Sequence, residues 1–116
     1  MVNLNKLVEE LKRDEGYRRY PYKCTAGKIT IGIGRNIEDI GISEDEADYL
    51  LNNDIQFCMT WLDKEYPWFK DLSDSRQRAL INMLFNLGIS RFTGFKKMIR
   101  ALAIGLPIVT GKLINL

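Results

Sequence analysis

Three side chains that can take part in chemistry lie close together in the first third of the chain: Glu15, Cys24 and Thr30. Glu15 ends an amphipathic helical pattern, and a short strand broken by glycines follows at residues 28–33. We therefore expect a carboxylate at a helix end to point towards a small sheet that carries the other two groups. A carboxyl group can donate or accept a proton, and a cysteine reacts as its thiolate.

The sequence contains no histidine and only two cysteines, Cys24 and Cys58. Without histidine, catalytic triads with a histidine base and most zinc sites are excluded, so acid–base chemistry falls to carboxylates. No metal-ligand cluster is visible, and we expect no metal and no cofactor. Two cysteines are too few for a disulfide scaffold, and a reducing compartment would keep them as thiols. Cys58 falls on the apolar stripe of a long helical pattern, where we expect a structural role.

Size and charge limit the classes of partner. A chain of 116 residues predicts one domain, and its net charge of +2 with a pI of about 8.6 is only mildly basic. This favours an anionic polymer such as a bacterial cell wall over nucleic acid, which usually requires a concentrated basic stripe. No apolar run approaches the roughly 18 residues of a membrane span, and the first helix is charged throughout. We therefore expect the chain to start in a cytoplasm.

The hydrophobic periodicity places the elements around these residues. Four apolar residues at helical spacing predict a packing helix over about 3–14, and further helices are predicted at about 44–65, 74–87 and 92–103. A sheet lobe is predicted at about 15–42, in which Thr30 faces away from the neighbouring isoleucines, with residues 36–41 as a linker. Residues 106–116 are apolar without a helical period. The four residues of the first stripe are Leu4, Leu7, Val8 and Leu11.

The segment from Glu15 to Gly34 resembles the phage-type (T4-like) lysozymes of glycoside hydrolase family 24. Their signature is a Glu, then Asp or less often Cys, then Thr, at the spacing of Glu15, Cys24 and Thr30. Glu15-Gly16 and the Thr-Ile-Gly-Ile-Gly run at 30–34 fall in register with it. A second block, residues 78–88, resembles the central helix of the family, and Thr93-Gly94-Phe95 continues it. The resemblance covers about residues 4–105.

The resemblance implies an α+β fold in which a small antiparallel sheet lobe is joined by a long helix to a mainly helical lobe. Residues 1–105 would form this lysozyme-like domain. Residues 106–116 would then replace the C-terminal helices of the family, so that the chain is truncated relative to its relatives. That loss would expose apolar surface on the helical lobe and favour self-association.

The resemblance also implies a function. We expect a muramidase that hydrolyses the β-1,4 bond between N-acetylmuramic acid and N-acetylglucosamine in peptidoglycan, as a phage or prophage endolysin. Made in the host cytoplasm, it would reach the periplasmic wall with the help of a holin-type pore. The alternative is a catalytically impaired wall-binding or regulatory remnant of such an enzyme. A lytic transglycosylase also uses a single Glu, but the Cys–Thr pair favours hydrolysis.

The implied catalytic residues are Glu15, Cys24 and Thr30. Glu15 would be the acid that protonates the leaving oxygen, which a partly dry cleft would favour. Cys24 stands where the family usually has Asp, and its thiolate would act as nucleophile or anionic stabiliser. Thr30 would orient the attacking water. Cys24 leaves open whether the anomeric centre is inverted or retained. The implied substrate-binding residues are Gly34, Asn36 and Phe85.

Overall fold

In the computed structural model, which describes residues 1–105, the chain begins with helix α1 (Leu4–Glu15). Asn3 caps its first turn by accepting a hydrogen bond from the Lys6 backbone N–H at 3.1 Å. Its last basic residues, Lys12 and Arg13, suit the negative end of the helix dipole. None of the residues of α1 is buried, and its four apolar stripe residues are 40–67% exposed. The expected packing role of this helix is therefore not what the structure shows.

Three antiparallel strands follow, in the order β1 (Arg18–Lys23), β2 (Ile29–Gly32) and β3 (Arg35–Asn36). Tyr22 pairs with Thr30, and Arg18 pairs with Gly32, with an irregularity of β1 between the two pairs. Pairs of Cα partners place their side chains on the same face of a sheet. Arg18 and Tyr22 therefore share the sheet face of Thr30.

The segment 36–41, predicted as a linker, contains a one-turn helix α2 (Ile37–Ile40). Asn36 caps it by accepting a hydrogen bond from the Asp39 backbone N–H at 3.0 Å, and Gly41 ends it with φ 69°. A single turn is too short to show a helical period, so only its cap residue signals it. The linker prediction was wrong at this point.

The long helix α3 (Glu44–Glu65) begins with the predicted capping box. The Glu46 backbone N–H donates to Ser43 Oγ at 3.2 Å, and the Ser43 N–H donates to Glu46 Oε1 at 2.8 Å. A 3₁₀ turn (Phe69–Asp71) then leads to α4 (Asp74–Thr93), which is capped by Ser73. Helix α5 (Lys96–Ala103) is the last element of the described residues.

Gly88 interrupts α4 with φ 78° and ψ 168°, so the helical geometry breaks where the sequence predicted a stop. The helix that was predicted at about 92–103 starts later, at Lys96. Residues 94–95 separate α4 from α5, and their N–H groups donate to the carbonyls of Arg91 and Phe92 in the last turn of α4. The apolar tail predicted at residues 106–116 lies outside the described residues.

The described chain divides into a unit of residues 1–47 and a unit that starts at Asp48. We call these the sheet unit and the helical unit. The hydrophobic core lies in the helical unit, where Leu62, Phe69 and Phe92 are almost fully buried. The fold is α+β, as expected. No helix within residues 1–105 has both the length and the apolar composition to cross a bilayer.

Candidate active site in the sheet unit

Glu15 is the last residue of α1, and its position is set by Gly16, which follows it and ends the helix. Gly16 adopts φ 71°, a left-handed value that favours glycine, and its N–H donates to the Lys12 carbonyl at 2.9 Å. The helix stops there, and the chain enters β1 two residues later. Among the described residues, the side chain of Glu15 is exposed.

Gly34 lies directly against the carboxyl group of Glu15. A Cβ at this position would be 3.0 Å from both Cδ and Oε2 of Glu15, closer than real Cβ atoms normally come. Gly34 also adopts φ 71° in the turn between β2 and β3. The structure therefore brings Glu15 and Gly34 together, and any larger residue at position 34 would displace the carboxyl group.

Cys24 and Thr30 are held by a single backbone carbonyl. The Cys24 N–H donates to the Lys28 carbonyl at 3.0 Å, and the Thr30 hydroxyl donates to the same oxygen at 2.9 Å. The turn between them closes when the Gly27 N–H donates to the Cys24 carbonyl at 2.8 Å. Cys24 is half-buried and Thr30 is buried. The sequence analysis did not predict a role for Lys28, because every residue has a backbone carbonyl and the residue type does not indicate which of them accepts a hydrogen bond.

The same turn changes the acidity of the thiol. Hydrogen bonding to the Lys28 backbone, and then to the Ala26 backbone and the Thr30 side chain, lowers the pKa of Cys24 below its ordinary value. Hydrogen bonds to the charged form favour that form. A lowered pKa increases the fraction of the thiolate, which is the reactive form of a cysteine. In contrast, burial raises the pKa of Cys58, and the Asp54 carboxylate adds to this effect, which agrees with the structural role expected for Cys58.

The side chain of Lys28 fastens β2 to α2. Its ammonium group lies 3.4 Å from Glu38 Oε2 and 3.3 Å from Asp39 Oδ1. The Ile29 backbone N–H also donates to Glu38 Oε1, at 3.3 Å. Helix α2 thus supports the strand that carries Thr30. The pattern Asn36-x-x-Asp39 was the available signal for this helix, because Asn is a preferred N-cap and acidic residues suit the first turn.

Arg35 and Glu46 form a second anchor in the sheet unit. Arg35 Nη1 donates to Glu46 Oε1 at 2.8 Å and to the Gly41 carbonyl at 3.1 Å, and Nη2 contacts the other carboxylate oxygen. The hydrogen bond from Arg35, and then that from the Ser43 backbone N–H, lower the pKa of Glu46 from 4.5 to about 2. The pair ties β3 to the first turn of α3, and the sequence analysis did not predict it.

The three predicted substrate-binding residues occupy different surroundings. Gly34 lies at the candidate acid, as described. The amide of Asn36 is already engaged with Asp39, which it contacts through both its oxygen and its nitrogen. Phe85 belongs to the helical unit, where it is exposed on a groove of about 680 Å³ that α3 and α4 line with apolar and polar side chains in equal number.

The sheet unit therefore presents a carboxyl group against the glycine turn between β2 and β3. In the turn between β1 and β2 it presents a thiol of lowered pKa, held by the same carbonyl as the Thr30 hydroxyl. A carboxyl group that can supply a proton and a second group that can act as an anion or nucleophile are the pair that glycoside hydrolysis needs.

Comparison with known proteins supports this interpretation. The phage lysozyme family model matches residues 12–105. An endolysin from Acyrthosiphon pisum secondary endosymbiont phage 1 is 32% identical over 87 residues, which cover 72% of this chain and 58% of that protein. The probable T4-type lysozyme 2 of Dictyostelium discoideum is 28% identical over 126 aligned positions, covering 84% of this chain and 74% of the other.

The pre-baseplate central spike protein Gp5 of Enterobacteria phage T4 is also similar, with 30% identity over 85% of this chain but only 22% of its own length. The chain thus spans little more than half of the endolysin and a smaller part of the spike protein. The family match covers most of the chain and includes each of the residues placed above in the sheet unit's candidate site. The protein belongs to the phage lysozyme family, and its α+β fold is lysozyme-like.

Proposed function

We propose that this protein is a muramidase that hydrolyses the β-1,4 bond between N-acetylmuramic acid and N-acetylglucosamine in peptidoglycan. The observation that carries the proposal is the Glu15 carboxyl group seated on Gly34, in the same unit as a thiol of lowered pKa. Membership of the phage lysozyme family supports the reaction class.

In this mechanism Glu15 protonates the glycosidic oxygen as the leaving sugar departs. The exposed position of Glu15 in the free protein means that the bound glycan itself would exclude water around the carboxyl group. Exclusion of water by the substrate would favour the protonated acid, because burial disfavours the charged form of a carboxyl group.

Cys24, in its thiolate form, attacks or stabilises the cationic sugar centre. If the thiolate attacks, the C–O bond breaks, a C–S bond forms, and water later displaces the sulfur, so that the anomeric configuration is retained. If the thiolate only stabilises the charge while water attacks, the configuration is inverted. Proton NMR of the first product anomer separates these two outcomes.

Thr30 is better suited to positioning Cys24 than to carrying the water itself. Its side chain is 2% exposed, and its hydroxyl donates to the Lys28 carbonyl. The hydroxyl also lies within hydrogen-bonding reach of Cys24, and donation of its hydrogen to the sulfur stabilises the thiolate. We therefore assign Thr30 the role of a positioning residue, which acts through the Cys24 thiolate.

The test compares the parent chain with Glu15→Gln on outer-membrane-permeabilised Gram-negative cells, and follows turbidity and the release of reducing ends. We expect clearing by the parent and a loss of about 10²–10⁴-fold in the variant, the usual contribution of a general acid. Glu9→Gln is the matched control, because Glu9 is an exposed carboxylate of the same helix. Equal clearing by the parent and Glu15→Gln would refute the assigned acid.

The cellular role that fits this activity is that of an endolysin made in the bacterial cytoplasm, which acts on the periplasmic wall after a holin-type pore releases it. The second candidate function is a wall-binding or regulatory remnant without turnover, which the exposed position of Glu15 favours. A parent chain that is folded by circular dichroism, binds sacculi and releases no reducing ends would establish the remnant instead.

A further inference from the structure

Arg18 and Tyr22 form a pair on the sheet face of Thr30 that the proposed mechanism does not use. The Arg18 guanidinium group lies over the Tyr22 ring, with Cζ 4.6 Å from the ring centroid. Tyr22 is the cross-strand partner of Thr30, and Arg18 is that of Gly32. The stack therefore runs along the sheet beside the strand that leads from Thr30 to the Gly34 turn.

The charge of Arg18 is unpaired among the described residues. Within residues 1–105, Arg18 makes neither a salt bridge nor a side-chain hydrogen bond, whereas the neighbouring cations Lys28 and Arg35 are both engaged with carboxylates. A guanidinium group stacked on a ring keeps its donors at the edge, so they remain available to another group. Stacking also restricts the side chain, which reduces the entropy lost when a ligand binds.

An anionic ligand suits such a group, because arginine binds planar oxyanions through two parallel N–H···O bonds. The N-acetylated sugars of a wall glycan are uncharged, and its carboxylates lie on the peptide stems. Arg18 follows the candidate acid Glu15 by three residues. A glycan bound with its scissile bond at Glu15 would therefore bring the substituents of its muramic acid near this face of the sheet.

We propose that Arg18, held against Tyr22 on the Thr30 face of the sheet, binds a carboxylate of the peptidoglycan peptide stem. This inference rests on the proposed function, since it names the part of that substrate that the sheet unit recognises. It makes Arg18 a specificity-determining residue, so that glycan strands bearing acidic stems bind better than strands whose carboxylates are blocked.

The experiment measures binding to Gram-negative sacculi, which carry no wall teichoic acid, by sedimentation in a Glu15→Gln background that leaves the wall intact. Half of the sacculi are amidated with carbodiimide and ammonia to neutralise the stem carboxylates. We expect amidation, and separately Arg18→Gln, to weaken binding about tenfold, because either removes a bidentate charge-assisted contact. Amidation should then have little further effect on Arg18→Gln.

Arg19→Gln is the matched control. Arg19 is the next residue of the same strand and also stacks on a tyrosine, with Cζ 5.6 Å from the Tyr20 centroid. It differs from Arg18 in that it does not pair with β2 on the Thr30 face. Equal losses for Arg18→Gln and Arg19→Gln would overturn the proposal in favour of general charge attraction. So would a loss on amidation that is as large in Arg18→Gln as in the protein that keeps Arg18. Tyr22→Phe keeps the ring and should keep the binding, which separates a folding defect from a lost contact.

The two proposals fail in different ways. If the protein has no muramidase activity, the parent releases no reducing ends, whatever the binding assay shows. If Arg18 has no role, the parent still cleaves the wall, and the Arg18 and Arg19 variants behave alike on both kinds of sacculi.

Discussion

The sheet unit and the helical unit are stabilised by different interactions. Within residues 1–47, Thr30 is the one buried side chain, and the contacts that hold the strands and α2 together are hydrogen bonds and ion pairs. Within residues 48–105, nine apolar side chains are buried, and aromatic rings such as Trp61 and Phe92 meet edge to face at 6.1 Å. The unit with the candidate chemistry has almost no core of its own.

This difference shows that stability and the geometry of the candidate site depend on different units of the protein. Burial of apolar side chains supplies most of the free energy of folding, at about 25 cal/mol per Å². Polar contacts contribute less to stability, but they fix direction and spacing. In the sheet unit, polar contacts fix the positions of the side chains, but little apolar surface is buried and local stability is low. Low local stability is common for functional regions.

The largest effect should follow from removing core volume in the helical unit. Leu62 is 0% exposed, so Leu62→Ala should lower the free energy of unfolding by about 2–5 kcal/mol. Urea titration followed by circular dichroism measures it. Leu50→Ala is the control, because Leu50 lies on the same helix and is 51% exposed, and it should change stability by about 0.5 kcal/mol or less. Similar losses in the two variants would contradict the assigned core.

In the sheet unit, a change of one methyl group should affect activity more than stability. Gly34→Ala places a Cβ against the Glu15 carboxyl group, and a displacement of about 1 Å can reduce turnover about 100-fold. Gly27→Ala introduces the same kind of backbone strain, with φ 77°, but meets nothing within 4 Å. Reducing-end release separates them, and equal losses in both variants would assign the effect to strain alone.

The two cysteines offer a direct comparison of the two units. At pH 7 we expect iodoacetamide to modify Cys24 at least about tenfold faster than Cys58, because the thiolate is the reactive form and Cys58 is buried with a raised pKa. Mass spectrometry of Cys24→Ser and Cys58→Ala measures each rate separately.

Thr30→Val tests the cause of the Cys24 reactivity. It removes one of the hydrogen bonds that lower the pKa of Cys24, so the rate profile should move to higher pH. An unchanged profile would mean that the backbone of the turn alone sets the pKa of the thiol.

The smallest effect should come from the exposed pair of Arg35 and Glu46. The pKa of Glu46 is about 2 in the folded protein and 4.5 ordinarily, so its contribution to stability is complete above about pH 4.5 and is lost as the pH falls towards 2. Glu46→Gln should therefore lower Tm slightly at pH 7, and the difference from the parent should disappear near pH 2. Thermal melts at pH 7, 4.5 and 2 measure it. A difference that persists at pH 2 would exclude charge as its cause.

Features of the fold that depend on neighbouring residues could be predicted from the sequence. The Ser43–Glu46 capping box and the full length of α3 follow from patterns of a few residues, and the structure has both. The exposure of the α1 stripe could not be predicted, because an apolar stripe shows that a helix has a face to bury but not what covers it. Helix α2 was missed because one turn has no period.

The candidate site shows the same limit. Spacing and family resemblance indicated Glu15, Cys24 and Thr30, whose roles remain predictions. The lowered pKa of Cys24 is caused by hydrogen bonding within the turn, which residue types do not reveal. The Arg18–Tyr22 stack spans an irregularity of β1 between these two residues, which the alternating pattern of a regular strand does not predict.

The shared carbonyl of Lys28 has a spectroscopic consequence. Both of its lone pairs are engaged, one by the Cys24 N–H and the other by the Thr30 hydroxyl. Each hydrogen bond weakens the C=O stretch, so a single ¹³C label at this carbonyl would give an isolated infrared band at unusually low frequency. Because Cys24 and Thr30 meet at that atom, one vibrational band would report on the geometry of both residues while glycan is added.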